Sequence, residues 1–153
     1  MTNNIKIART LLSLWPDLDN YYLGIEKQIF KSAMASYGNP DNTMQIIDKI
    51  IELTMRKDVL RALARDINAT IGGLPPVENE LLHKFYLTRD KTAREFSAQL
   101  GMPLRSFYRK VSNAVQLFSQ RLPNMGINTF TWERLLSDNP WFKTVFDNDA
   151  QTE

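Results

Sequence analysis

Arg105, Ser106, Tyr108, Arg109, Lys110 and Asn113 crowd into nine consecutive positions. They are the side-chain types that read double-stranded DNA. An arginine donates two parallel N–H bonds to guanine and an asparagine pairs bidentately with adenine. Serine, tyrosine and lysine hold phosphate oxygens. A helix starting just before them adds the unclaimed amides of its first turn, which suit a phosphate. Lys91, Thr92 and Arg94 come shortly before this cluster and fit the flanking backbone, with Lys84 and Arg89 beside them.

Such side chains read a groove only when a rigid element presents them on one face. The stretch TAREFSAQLGMPLRSFYRKVSNAVQLFSQRL, Thr92 to Leu122, has the parts of a helix-turn-helix. Thr92 and Glu95 fit a capping box that starts the first helix. Ser97 is small where the second helix must cross. Gly101 accepts the positive φ of a tight turn. Phe107, Val111, Ala114 and Phe118 recur at four, three and four residues, which is one inward stripe of a helix. Phe96 and Leu100 supply the apolar side of the first helix. The recognition helix is expected over about 104–121, with its polar and basic face turned to solvent.

The charge distribution marks the same stretch. Residues 1–83 carry 9 basic and 10 acidic side chains, net −1; residues 84–121 carry 8 and 2, net +6; residues 122–153 carry 2 and 5, net −3. The overall charge of +2 hides a positive block suited to a polyanion.

Other chemistry is poorly provided for. There is no cysteine and one histidine, His83. Disulfides, thiol catalysis and zinc–thiolate sites are therefore excluded, and a multi-histidine metal site has no ligands. His83 reads as a structural residue. No glycine-rich phosphate loop, nucleophile elbow or paired histidine–carboxylate motif occurs. We expect no enzyme, no metal site and no cofactor. No apolar run nears the roughly 20 residues of a membrane span. A chain without cysteine suits a reducing cytoplasm, the expected location, and Met1-Thr2-Asn3-Asn4 has neither the basic region nor the apolar core of a secretory signal.

The surrounding elements read as helices, so the fold class is all-α. A first helix is expected over 5–15, stopped by Pro16, and a second over 19–37, stopped by Gly38. A long third helix has Asn39 and Pro40 as its start signals and Gly72-Gly73 as its stop. Ile46, Leu53, Leu60, Ile67 and Leu74 repeat along it every seven residues, beside Ile50, Lys57, Ala64 and Ile71. This stripe either packs on the two preceding helices or forms the seam of a homodimer through the 43–71 helix. Leu74-Pro75-Pro76 is a rigid joint, followed by a short helix from Val77 to about Leu87 that buries Leu81, Leu82, Phe85 and Tyr86. Phe130, Trp132, Trp141, Phe142 and Phe146 give the C-terminal part an aromatic, acidic character, and Asn139-Pro140 starts a last helix there. Those aromatics either pack on the helical core or form a docking surface. Three regions follow: a helical one over 1–73 for dimerisation or partner contact, a helix-turn-helix domain over 74–122, and a C-terminal extension over 123–153.

The segment LPPVENELLHKFYL, with the polar turn and helix pair after it, resembles region 4 of sigma-70-type factors. The pattern of a long Glu-, Lys- and Ile-rich helix leading into such a motif is more similar still to small phage and prophage transcription regulators of the RinA and ArpU type. The resemblance covers roughly residues 43–122. It implies a transcription regulator that binds double-stranded DNA sequence-specifically, and RNA polymerase as a further partner. Ser97 stands where those families have alanine or glycine. Pro103 stands where they have a polar N-cap, which leaves open whether Leu104, Arg105 or Ser106 faces a base. A phage DNA-packaging or assembly subunit that clamps DNA with the same motif, and a minimal sigma-like factor contacting polymerase, are the alternatives. The minimal sigma factor would use Trp15, Tyr21 and Tyr22 as exposed aromatics.

Overall fold

The structure, a computed structural model, describes residues 2–38, 42–88 and 91–149. The described residues are helical with no strand among them, as the sequence leads one to expect. Among the described residues eight α-helices follow in order: α1 (Thr2–Leu14), α2 (Leu18–Ala35), α3 (Thr43–Gly72), α4 (Pro76–Leu82), α5 (Ala93–Gln99), α6 (Leu104–Ser119), α7 (Thr129–Asp138) and α8 (Pro140–Asp147). The start signals expected for α3 at Asn39 and Pro40 lie outside the described residues.

The chain forms two compact units: residues 1–16 with 66–153, and residues 17–65. These borders differ from the regions expected at 73/74 and 122/123. The reason is long-range packing that no local pattern encodes. Helix α1 packs on α6 and on α8, so both ends of the chain belong to the same unit as the helix-turn-helix.

In this larger unit α6 is the central element, touched by α1, α4 and α5. Leu11, Leu12, Leu82, Phe107, Phe118, Leu122 and Phe142 are completely or almost completely removed from solvent. Burying a side chain of this size contributes about 1.5–3 kcal/mol. Trp15 is buried as well, its indole N–H donating to the Asn68 Oδ1 at 2.9 Å. It therefore offers no exposed aromatic of the kind a minimal sigma factor needs. His83 is exposed, edge-on to Trp15 at 5.1 Å, with Nδ1 2.9 Å from the Asn79 carbonyl.

Beyond α4, the expected short helix continues to Leu87, but residues His83–Leu87 widen into one π-helical turn. Leu81 and Leu82 are buried, whereas Phe85 and Tyr86 are half-buried. After α6 the chain turns through a short 3-10 segment, Leu122–Met125, and Gly126 at φ 74 ends it. Helix α7, which the sequence pattern did not announce, is capped by Asn128. There the Asn128 Oδ1 accepts from the Thr131 amide at 2.9 Å while the Asn128 amide donates to Thr131 Oγ1 at 2.8 Å. The aromatic C-terminus is mainly core: Trp132 and Phe142 are buried against one another, although Phe130 is exposed. Asn139 precedes α8 as expected. Its Nδ2 donates back to the Leu135 carbonyl at 3.1 Å, so it holds the end of α7 and makes no side-chain cap for α8.

The smaller unit pairs α2 with the first part of α3. Glu26 and Lys57 form an ion pair at 3.6 Å, and Arg61 lies 5.9 Å from the Tyr22 ring centre. Contacts at 22 with 61 and at 26 with 57 step in opposite directions along the two helices, so they run antiparallel. The seven-residue row of α3 is consumed within the chain. Leu53 and Leu60 are buried in this unit, Ile67 and Leu74 in the other, and Ile46 is half-buried.

Candidate nucleic-acid interface

The helix pair α5–α6 begins with the expected capping box. The Glu95 amide donates to Thr92 Oγ1 at 3.2 Å, and the Thr92 amide donates to Glu95 Oε1 at 3.2 Å. Two otherwise orphaned donors are satisfied this way. The cap also occupies the Thr92 hydroxyl, which leaves this expected DNA contact committed to its own helix.

Helix α5 ends in a Schellman turn. The Met102 amide donates to the Ser97 carbonyl at 3.0 Å and the Gly101 amide to the Ala98 carbonyl at 3.1 Å. The motif requires a left-handed residue, and Gly101 sits there with φ 67. Ser97 is buried at the crossing, its hydroxyl donating to the Arg94 carbonyl at 2.9 Å. A small residue at this point lets the Phe96 and Phe107 rings stack with 6.1 Å between centroids and 17° between planes. Leu100, expected inside with Phe96, is 39% exposed. It is the last residue before the turn, where the chain has already left the packed face.

Helix α6 carries the expected inward stripe, Phe107, Val111, Ala114 and Phe118, with Val115 and Ser119 added to it. Pro103 precedes the helix in an extended conformation and no side chain caps it. The first intrahelical bond runs from the Phe107 amide to the Pro103 carbonyl. The amides of residues 104–106 thus stand at the open, positive end of a four-turn helix.

The opposite face follows from about 100° per residue. Arg105, Arg109 and Asn113 fall in one arc and are all exposed. Gln116 and Ser112, exposed on the same arc, extend the row; neither is among the candidates named from the sequence, although each stands three residues beyond one of them, Asn113 and Arg109. Lys110 is exposed on one flank and the half-buried Ser106 lies between it and the row. Tyr108 is on the other flank, 47% exposed, with its ring edge-on to Phe85 at 6.2 Å. It is a side wall of the row and not part of it. Arg94 is exposed and Lys91 half-buried at the start of α5. Lys84 pairs with Glu80 at 3.4 Å. Arg89 lies outside the described residues.

Among the described residues no group of three His, Cys, Asp or Glu side chains could hold a metal ion. No helix of the described residues is long and apolar enough to cross a membrane. No protein-family model, no curated protein and no solved structure matches the chain.

Proposed function

We propose that residues 74–122 bind double-stranded DNA sequence-specifically and that the chain is a transcription regulator. The observation that carries this reading is the two-sidedness of α6. One face is locked into the core by Phe107, Val111, Ala114 and Phe118. The other presents Arg105, Arg109 and Asn113 in a row beside an uncapped helix N-terminus. An α-helix with such a face fits the major groove, where arginine and asparagine make base-specific pairs. Ser106, Tyr108 and Lys110 flank the row and hold phosphates on either side. Arg94 and Lys91, at the start of α5, reach the backbone of the same groove. The capped Thr92 contributes by positioning them.

The likeness to sigma region 4 and to RinA- and ArpU-type regulators adds RNA polymerase as a second partner, and the cysteine-free composition favours a cytoplasmic location. Selection of bound duplexes from a random pool tests the reading. The wild-type chain enriches a defined motif of one or two half-sites, and the Arg105→Ala, Arg109→Ala double variant enriches none. An unenriched pool for the wild type rejects sequence-specific binding.

A further inference from the structure

The smaller unit exposes apolar side chains on the side its own packing does not use. On α2 these are Leu23, Phe30 and Met34, with Tyr37 in the 3-10 turn Ser36–Gly38 that follows it; on α3 they are Met44, Ile47, Ile51, Met55 and Val59. At about 100° per residue the members of each set that lie on the α-helix form a single stripe. Each stripe lies roughly a quarter to a third of a turn from the contacts that join the helices, Tyr22 and Glu26 on α2, Lys57 and Arg61 on α3. Because the helices are antiparallel, these rotations carry both stripes to the same side of the pair. The result is one broad apolar face. From the fractional exposures (Tyr37 at 86% and Met44 at 70% are the extremes) it offers on the order of 1,000 Å². A standard interface needs about 800 Å² per partner, and the largest patch of a typical monomer is roughly 300–600 Å².

The charged rims of this face identify its occupant. Lys27 and Lys31 edge the α2 stripe on the side away from α3; with Leu23 and Phe30 they line a shallow groove. Asp48 and Glu52 edge the α3 stripe on the side away from α2. One edge is basic and the other acidic. Rotating a second copy about an axis parallel to the helices lays α2 over the partner's α3. The antiparallel register puts Lys31 level with Glu52, so each basic edge meets an acidic one. The perpendicular two-fold would lay lysines over lysines. The face is therefore complementary to itself, which is what a closed two-fold dimer requires.

We infer that residues 17–65 form a homodimer as a four-helix bundle, with α2 of one copy against α3 of the other. The seam is thus not the seven-residue row of α3, which is buried within the chain, but the opposite face of that helix together with α2. The inference does not rest on DNA binding. It is tested by sedimentation equilibrium on the full chain. The wild type sediments as a dimer at micromolar concentration. Phe30→Glu with Ile51→Glu gives a monomer whose far-ultraviolet circular dichroism is unchanged, because both side chains are exposed within the single chain. Lys31→Glu and Glu52→Lys each weaken the dimer at least tenfold, and the two together restore it. A monomeric wild type, as expected if the face binds a different protein, overturns the inference. So does a dimer indifferent to Phe30 and Ile51. Failure of the double charge reversal to restore association overturns the arrangement of α2 over the partner's α3.

Discussion

Arg9 and Asp149 lie 140 positions apart and meet in an ion pair, with Nη2 and Nε both 3.0 Å from Oδ2. The pair ties α1 to the segment that follows α8, and both helices pack in the unit whose centre is α6. Lys6, one turn earlier, lies 4.3 Å from the Phe146 ring centre and reinforces the same junction. The two ends of the chain thus brace the helix that carries the candidate DNA contacts. Asp149→Ala should lower stability by about 1–2 kcal/mol, since both partners are mostly buried and the bond is charge-assisted. Urea denaturation checks this; an unchanged midpoint would show that the junction is held by packing alone.

Gly101 sits at φ 67 with open space where a Cβ would go. The cost of a side chain there is therefore backbone strain and not a clash. Gly101→Ala should destabilise by about 1–2 kcal/mol and Gly101→Asn by less, because asparagine tolerates the left-handed region. Equal losses for both variants would contradict the assignment of the Schellman turn.

The Thr92–Glu95 box should cost about 1 kcal/mol when Thr92→Ala removes it. Because the two residues serve each other's amides, Thr92→Ala and Glu95→Ala should be non-additive. Simple additivity in a double-mutant cycle on thermal unfolding would mean that the reciprocal bonds contribute nothing together.

Burial raises the Tyr86 phenol above its ordinary value; Arg9 opposes the shift and Asp149 adds to it. The folded chain then holds this proton more tightly than the unfolded chain does. Its contribution is complete below about pH 10 and is lost as the pH climbs beyond that. Tyr86→Phe should flatten the alkaline loss of stability that sets in above about pH 10, the value of the free phenol. Parallel stability curves for the variant and the wild type would refute the effect.

The features legible in the sequence are those that local rules govern. The capping box is set by Thr92 and Glu95, the turn by Gly101, and the inward stripe of α6 by the spacing of Phe107, Val111, Ala114 and Phe118. Each is a matter of a few neighbouring residues. What escaped depends on distant partners. Nothing near Ile7 or Leu11 says that α1 packs on α6. The seven-residue row of α3 looked like a possible dimer seam because sequence periodicity does not reveal which of two apolar faces the chain itself covers. Helix α7 was hidden because Asn128 and Thr131 form their cap from residues that equally suit a loop. In the candidate site, the flank on which Tyr108 lies is set by its contact with Phe85, and the Thr92 hydroxyl serves the helix cap, neither of which spacing along one helix reveals.

The central claim is that the outer face of α6 binds duplex DNA. Its most direct test is the affinity of the full chain for its selected duplex across salt concentrations, measured for the wild type and for Arg109→Ala. With four to six phosphates neutralised, log affinity should fall with log salt at a slope of roughly −4 to −5. Arg109→Ala should lose about 1–3 kcal/mol of specific binding if its guanidinium pairs with a base. A slope near zero, or full specific affinity without the Arg109 guanidinium, would contradict the account.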